Sequence, residues 1–245
     1  MRAEDATRVE DVIDVEDVSS HERFDGVYWV KFKDKSHRLA TRNLSPGRSV
    51  YGEQLVKFSR KEYRLWDAYR SKLAAAILKG TKEVPISPSC KVLYLGAASG
   101  TTASHVSDII GEEGTVFAVE FAQRTMRELI EQVCSQRPNL SPILADARQP
   151  SAYRSLVPPV DAVYCDIAQP EQARILADNC DLFLKPTGSA MIAVKSRSVD
   201  VTMSPGAVFS QEKRTLVERG FKIIDAVRLE PYEKDHAMFV ITREK

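Results

Sequence analysis

From Phe24 to Leu44 apolar and polar side chains alternate around a polar turn at Asp34-Lys35, in the text GVYWVKFKDKSHRLATRNL. A period of two predicts short antiparallel strands joined by tight turns. The pattern then changes. Residues 60–79, RKEYRLWDAYRSKLAAAILK, read as one helix with Gly80 as its C-terminal stop. Beyond it, short apolar runs predict strands at 91–95, 115–121, 141–145, 161–165, 189–194, 221–229 and 237–242. Helical stretches such as 124–136 and 169–183 lie between them. Strands alternating with helices predict an α/β fold: a mostly parallel, doubly wound, Rossmann-like sheet covered on both faces. A small β-rich unit precedes it. The expected divisions are an acidic extension over 1–20, the β-rich unit over 21–56 and the α/β domain over 57–245.

Composition narrows this picture only in places. A chain of 245 residues holds one large α/β domain plus a small appendage. With 43% hydrophobic and 28% charged residues it reads as globular, and no apolar run reaches the roughly 20 residues that span a bilayer. The opening MRAEDATRVEDVIDVEDV has no apolar core, so it is no secretory signal. The four cysteines are scattered and form no CxxC pair, which points to small core residues, no metal site and a reduced, cytoplasmic setting. A net charge of +1 hides a gradient: residues 1–18 carry seven acids against two arginines, and residues 57–82 carry eight Lys or Arg against two acids. The acidic stretch is either a mobile tail or a short helix. The basic one is either a solvated helix face or a polyanion-binding face.

The candidate chemistry sits at strand ends. In KVLYLGAASGTTASHVSDIIG a strand runs through a glycine-containing turn into a helix, and Gly96 and Gly100 let the backbone turn tightly beside a ligand. The second strand delivers Glu120, 24 positions after Gly96, suited to accepting hydrogen bonds from two ribose hydroxyls. The third delivers Asp146 in LADAR, placed to meet an adenine amino group beside Ala147. The turn Gly96-Ala97-Ala98-Ser99-Gly100-Thr101 lacks the middle glycine of a dinucleotide site, and no Walker pattern is present. Carboxylates around a phosphate-free crevice suit the sulfonium and amino-acid group of S-adenosyl-L-methionine better than they suit NAD. The fourth strand, AVYC, ends in Asp166, and a proline follows four residues later.

Several long motifs, in order, then become recognisable: YGEQLV, RLWDAYRSKLAAAILKG, VLYLGAASGTTASHVSDIIG, VFAVEFAQRTMREL, LADARQP, DAVYCDIAQPEQA and EKDHAMFVITR. Together they resemble fibrillarin in its archaeal form, continuously from about Val50 to Arg243, and the β-rich segment before them resembles the family's N-terminal domain. Two departures stand out. The chain begins with an acidic stretch rather than the Gly/Arg-rich tail of eukaryotic members, and Ala68 stands where proline is expected.

The resemblance implies a class I methyltransferase fold of seven strands and guide-RNA-directed 2′-O-methylation of ribose in rRNA and tRNA. The work is done with S-adenosyl-L-methionine inside a box C/D ribonucleoprotein. It implies as partners a guide RNA, the substrate RNA, a Nop-domain scaffold protein and a kink-turn-binding ribosomal-type protein, and no membrane. Delegating recognition to such partners accounts for the near-neutral charge. It further implies a catalytic set of Lys72, Asp166, Lys195 and His236. The cofactor residues it implies are Gly96, Ala97, Gly100, Thr101, Thr102, Glu120, Phe121, Asp146, Ala147, Asp166, Ile167, Ala168 and Gln169.

From the residues themselves, Asp166 and Lys195 end strands and His236 opens one whose antiparallel insertion brings it to the same edge. Asp166 is expected to hold Lys195 by a charge-assisted hydrogen bond. Lys195 either positions the 2′-oxygen as an ammonium or takes its proton. His21, His37 and His105 have no supporting context. Two other readings stand beside the leading one: a catalytically silent particle subunit, and a methyltransferase of another substrate class. The text Asp166-Ile167-Ala168-Gln169-Pro170 lacks the Asn/Asp-Pro-Pro-Tyr/Phe pattern of amino-group methyltransferases, which weighs against the latter.

Overall fold

The computed structural model describes residues 14–244. Most of the acidic extension therefore lies outside the described residues. Its last part is neither tail nor helix but strand β1 (Val15–Ser20), paired antiparallel with β2 (Val27–Phe32). With β3 (His37–Arg42), β4 (Leu55–Phe58) and β5 (Lys61–Leu65) they form a five-stranded antiparallel sheet in the order β1-β2-β3-β5-β4.

The helix expected over 60–79 is the largest correction. Ser59 and Arg60 both adopt positive φ, 47° and 66°, the backbone of a two-residue hairpin turn that suits the twist of adjoining strands. Residues 61–65 are the return strand, so the N-terminal sheet reaches Leu65, past the division expected at residue 56. An Asx turn follows, the Asp67 carboxylate accepting the Tyr69 N–H at 2.8 Å. Helix α1 (Lys72–Leu78) starts only after Ser71, whose side chain accepts the Ala74 N–H as an N-cap.

The remainder is β6 (Lys91–Leu95), α2 (Thr101–Ile110), β7 (Thr115–Glu120), α3 (Gln123–Gln132), β8 (Leu140–Leu144), β9 (Val160–Cys165), α4 (Gln172–Phe183) and β10 (Leu184–Lys195). It ends in α5 (Ser196–Val199), α6 (Pro205–Glu218), β11 (Phe221–Arg228) and β12 (His236–Arg243). The seven strands lie in the order β11-β12-β10-β9-β6-β7-β8. β8, β7, β6, β9 and β10 are parallel neighbours, and β12 pairs antiparallel with both β10 and β11.

Alternate residues of β6 face opposite sides of the sheet. Val92 and Tyr94 pack with Ala103 and Val106 of α2 and with Leu73 and Ile77 of α1. Leu93 and Leu95 pack with Leu176 and Cys180 of α4 and Leu216 of α6. Burial on both faces is why these strands read as unbroken apolar runs. Cys165 and Cys180 lie in this core, and all four cysteines are free. Among the described residues no helix is long and apolar enough to cross a membrane.

The two sheets are joined by buried charge. Asp108 of α2 accepts from Arg64 of β5 at 2.8 Å through one oxygen and from Arg137 through the other. Arg64 also donates to Glu53 at 2.6 Å and to Ser104 at 2.8 Å. Thr41 donates to Asp108 at 2.8 Å, so its oxygen accepts from His105 Nδ1 at 2.7 Å. His105 Nε2 then accepts from the Tyr51 hydroxyl at 2.8 Å. Burial first, then the Arg64 and Arg137 charges, hold the His105 pKa well below its ordinary value, so the ring is neutral. Arg64 is fully buried. The basic 57–82 segment is therefore not one solvated helix face, because its residues are divided between strands, turns and a short helix, and Arg64 belongs to this interior network.

Candidate active site

In an open parallel sheet the crevice lies beyond the strands' carboxyl ends, where the chain order reverses. Here the reversal falls between β6 and β9. The last paired rung is Leu95 opposite Cys165, and the Asp166 N–H donates to the Leu95 carbonyl at 2.9 Å. Gly96 and Asp166 are thus set side by side. Gly96 has φ +81°, and a Cβ there would come within 2.3 Å of the Asp166 carbonyl oxygen. Only glycine satisfies both the left-handed backbone and this approach.

A crevice of about 290 Å³ opens at this point. It is lined by Gly96, Glu120, Phe121, Asp146, Ala147, Asp166, Ile167, Ala168 and Gln169, all expected from the sequence. Four expected residues are elsewhere. Gly100 is pressed against Leu129 and Val133, where an added Cβ would lie 2.7 Å from each side chain. Ala97 and Thr101 shape the turn into α2, the Ala97 N–H bonding back to Val119 O at 3.1 Å. Thr102 donates to the Ser71 hydroxyl at 3.0 Å and so anchors the cap of α1 rather than facing the crevice. Conversely Ala98, Val119, Ala145 and Arg148 line the crevice and were not anticipated. Arg148 had a local signal, since it lies two residues beyond Asp146. A larger cleft of about 680 Å³ lies against the N-terminal sheet, around Tyr51, Trp66, Tyr69 and Tyr232, and shares no lining residue with this crevice.

The acids differ in setting. Glu120 is buried, and its two oxygens accept the Ala98 N–H at 3.1 Å and the Ala122 N–H at 2.9 Å. One bond on each oxygen leaves further lone pairs for vicinal hydroxyls. Asp146 is engaged by Arg148, whose Nη2 donates to it at 2.6 Å, and this hydrogen bond holds the carboxyl below the usual carboxylate range.

Asp166 pairs with Lys72, Nζ to Oδ2 3.0 Å, with both side chains about one-fifth exposed. This corrects the expected Asp166–Lys195 contact: the partner comes from the first turn of α1, 94 residues earlier. A cation in a helix's first turn is opposed by the helix dipole, at about 0.3–1 kcal/mol, so its site reflects the carboxylate it meets. Lys195 closes β10, and its register partner across the antiparallel pair is His236, the first residue of β12. Among the described residues the Lys195 ammonium has no ion-pair partner, and its side chain is exposed. His236 is buried with Nδ1 2.7 Å from the Lys234 carbonyl, which only accepts. Nδ1 therefore carries the proton, and in the neutral ring Nε2 is left as an acceptor.

The chemistry of this donor set fits an adenosine-bearing cation without phosphates. Glu120 is a carboxylate with spare lone pairs suited to vicinal hydroxyls, an apolar wall of Phe121 and Ile167 suits a base, and Asp166 offers negative charge. The fibrillarin family profile matches residues 18–245 of the chain. A Pyrobaculum aerophilum protein named fibrillarin-like rRNA/tRNA 2′-O-methyltransferase is 56% identical, over 93% of this chain and 97% of its own length. Aeropyrum pernix fibrillarin, solved in complex with natively bound S-adenosyl-L-methionine, is similar with a TM-score of 0.88 and 51% identity. That match covers 94% of this chain and 100% of the other. A chain from a fibrillarin/Nop5p complex is similar with a TM-score of 0.75 and 42% identity, covering 84% of this chain and 94% of that one.

Proposed function

The chain belongs to the fibrillarin family, and on that premise we propose that it is the catalytic subunit of a box C/D ribonucleoprotein. It methylates ribose 2′-hydroxyls of rRNA and tRNA at positions chosen by a guide RNA, with S-adenosyl-L-methionine as donor. The observation that carries this reading is the Lys72–Asp166 pair at the β6–β9 reversal, beside a crevice walled by Glu120.

When bound, the cofactor supplies an electrophilic methyl group on a sulfonium whose leaving form is a neutral thioether. The protein's share is alignment and proton handling. Glu120 would accept the ribose hydroxyls, and Phe121 and Ile167 would hold the base. Asp166 offers negative charge to the sulfonium while its bond to Lys72 fixes the carboxylate plane. Lys195, at the strand end opposite His236, would hold the incoming 2′-oxygen as an ammonium or, as the neutral amine, would receive its proton. His236 Nε2 accepts a hydrogen bond from the ammonium or the hydroxyl. Holding donor and acceptor in line is worth up to roughly 7–11 kcal/mol.

A Nop-domain scaffold and a kink-turn-binding protein complete the particle in this reading, with sequence choice left to guide-RNA pairing. A silent structural subunit is disfavoured because Asp166, Lys195 and His236 lie at one end of the sheet and Lys72 reaches Asp166 from α1. The test is labelled methyl transfer in a reconstituted particle. We expect one methyl group on the guide-specified ribose and none when that nucleotide is 2′-deoxy. Transfer to the deoxy substrate, or to a base or protein, would overturn the assignment.

A further inference from the structure

The rungs between β9 and β10 end at Cys165 opposite Ile192. β9 then turns away at Asp166, and Lys195, three residues farther along β10, runs on with no β9 residue beside it. On its other side Lys195 pairs with His236 of β12. The Lys195 N–H on the β9 side would be orphaned, whereas its carbonyl already opens α5 as the N-cap; one side chain satisfies the N–H and adds a second donor to the carbonyl. Gln172 Oε1 accepts the Lys195 N–H at 3.0 Å, and Gln172 Nε2 donates to the Lys195 carbonyl at 3.2 Å. A primary amide carries the same donor and acceptor as a peptide, so it replaces the missing strand residue. Gln172 is fully buried and is the first residue of α4. The next residue is tethered too: Glu212 of α6, itself buried, accepts the Ala173 N–H at 2.9 Å.

We propose that Gln172 is a positioning residue for methyl transfer, acting through the backbone of Lys195. The loop that carries Asp166 at its start carries at its end the amide that fixes Lys195, so one segment sets both groups relative to each other. Lys195 has a long, exposed side chain and no ion-pair partner among the described residues. Its reach toward the 2′-oxygen is therefore governed by where its Cα is held, and displacements near 1 Å at such centres cost about a hundredfold in rate. Neither Asn, one methylene shorter, nor Glu, with no donor when ionised, reproduces the double contact.

The proposal rests on the role assigned to Lys195 above. Its test is a single-turnover methyl-transfer cycle in the reconstituted particle with Gln172→Met, Lys195→Ala and the double variant, alongside cofactor titration and amide exchange at Lys195. Gln172→Met should slow transfer by about ten- to a hundredfold. It should leave cofactor affinity within about twofold and speed exchange of the Lys195 amide. In the Lys195→Ala background the same substitution should cost less than about twofold, because residues acting as one unit are non-additive. A tenfold loss in both backgrounds, or no loss in Gln172→Met, overturns the proposal. If Gln172→Met fails to assemble, Gln172→Ala takes its place with the same outcomes. Full activity of Lys195→Ala would instead remove Lys195 from the chemistry, and the proposal with it.

Discussion

Asp108 and Asp166 are both aspartates held by cations from distant parts of the chain, and they have opposite uses. Asp108 is buried between Arg64 and Arg137, with Thr41 and the Leu44 N–H also donating to it. Every lone pair is spent on the interior, and nothing remains for a ligand. Asp166 sits at a strand end with one side-chain partner among the described residues, Lys72, and its side chain is about one-fifth exposed. Unused acceptor capacity at the mouth of a crevice separates a reacting carboxylate from a structural one more sharply than the presence of an ion pair does.

The contrast can be broken in both directions. Asp166→Asn should lower the single-turnover rate by about 10²- to 10⁴-fold while changing the unfolding free energy by less than about 1 kcal/mol. Asp108→Ala should do the reverse, costing about 3–5 kcal/mol of stability because two arginines are left facing each other with Glu53 alone. Its folded fraction should transfer methyl groups at a near-normal rate. Denaturant unfolding beside single-turnover assays decides the matter, and equal losses in both readouts for either variant would erase the distinction.

Glu120 sharpens the same comparison, since it is buried like Asp108 yet keeps acceptor capacity like Asp166. Glu120→Ala should weaken S-adenosyl-L-methionine by one or two charged hydrogen bonds, about 1.5–3 kcal/mol each at most. Unchanged affinity by calorimetric titration would return Glu120 to a purely structural role as a turn acceptor.

The smallest effect concerns His105 in the buried network. Its folded pKa lies well below the ordinary 6.5, so below pH 6.5 the unfolded chain takes up a proton that the folded chain refuses. Stability is therefore full above that pH and declines as pH falls toward the folded value. Between pH 7 and pH 5.5 the wild type should lose about 1 kcal/mol more than His105→Gln, which has no ring to titrate. Parallel pH dependences of unfolding for the two proteins would mean that the ring is protonated in the fold.

The central strands of the large sheet were legible because burial on both faces writes them as short apolar runs, and β6, β7 and β9 run into glycine or an acid. Glu120, Asp146 and Asp166 were found by that punctuation. β5 was not, because Glu62 and Arg64 look like the solvated side of a helix when only their own segment is in view. Their burial depends on Asn43, Glu53 and Asp108, which no local pattern connects to them. The pairing of Asp166 failed for the same reason: Lys72 resembles any surface lysine on a basic helix, whereas Lys195 ends a strand and draws attention. Gln172 was invisible as chemistry, since its contacts go to backbone and leave no signature in side-chain types.

The central claim is that Lys72 and Asp166 form one catalytic unit. A single-turnover double-mutant cycle with Lys72→Ala and Asp166→Asn in the reconstituted particle tests it most directly. The account predicts that the double variant is within about threefold of the slower single one, since neither group works without the other. Losses that multiply would contradict it, and the 3.0 Å contact would then be incidental to methyl transfer.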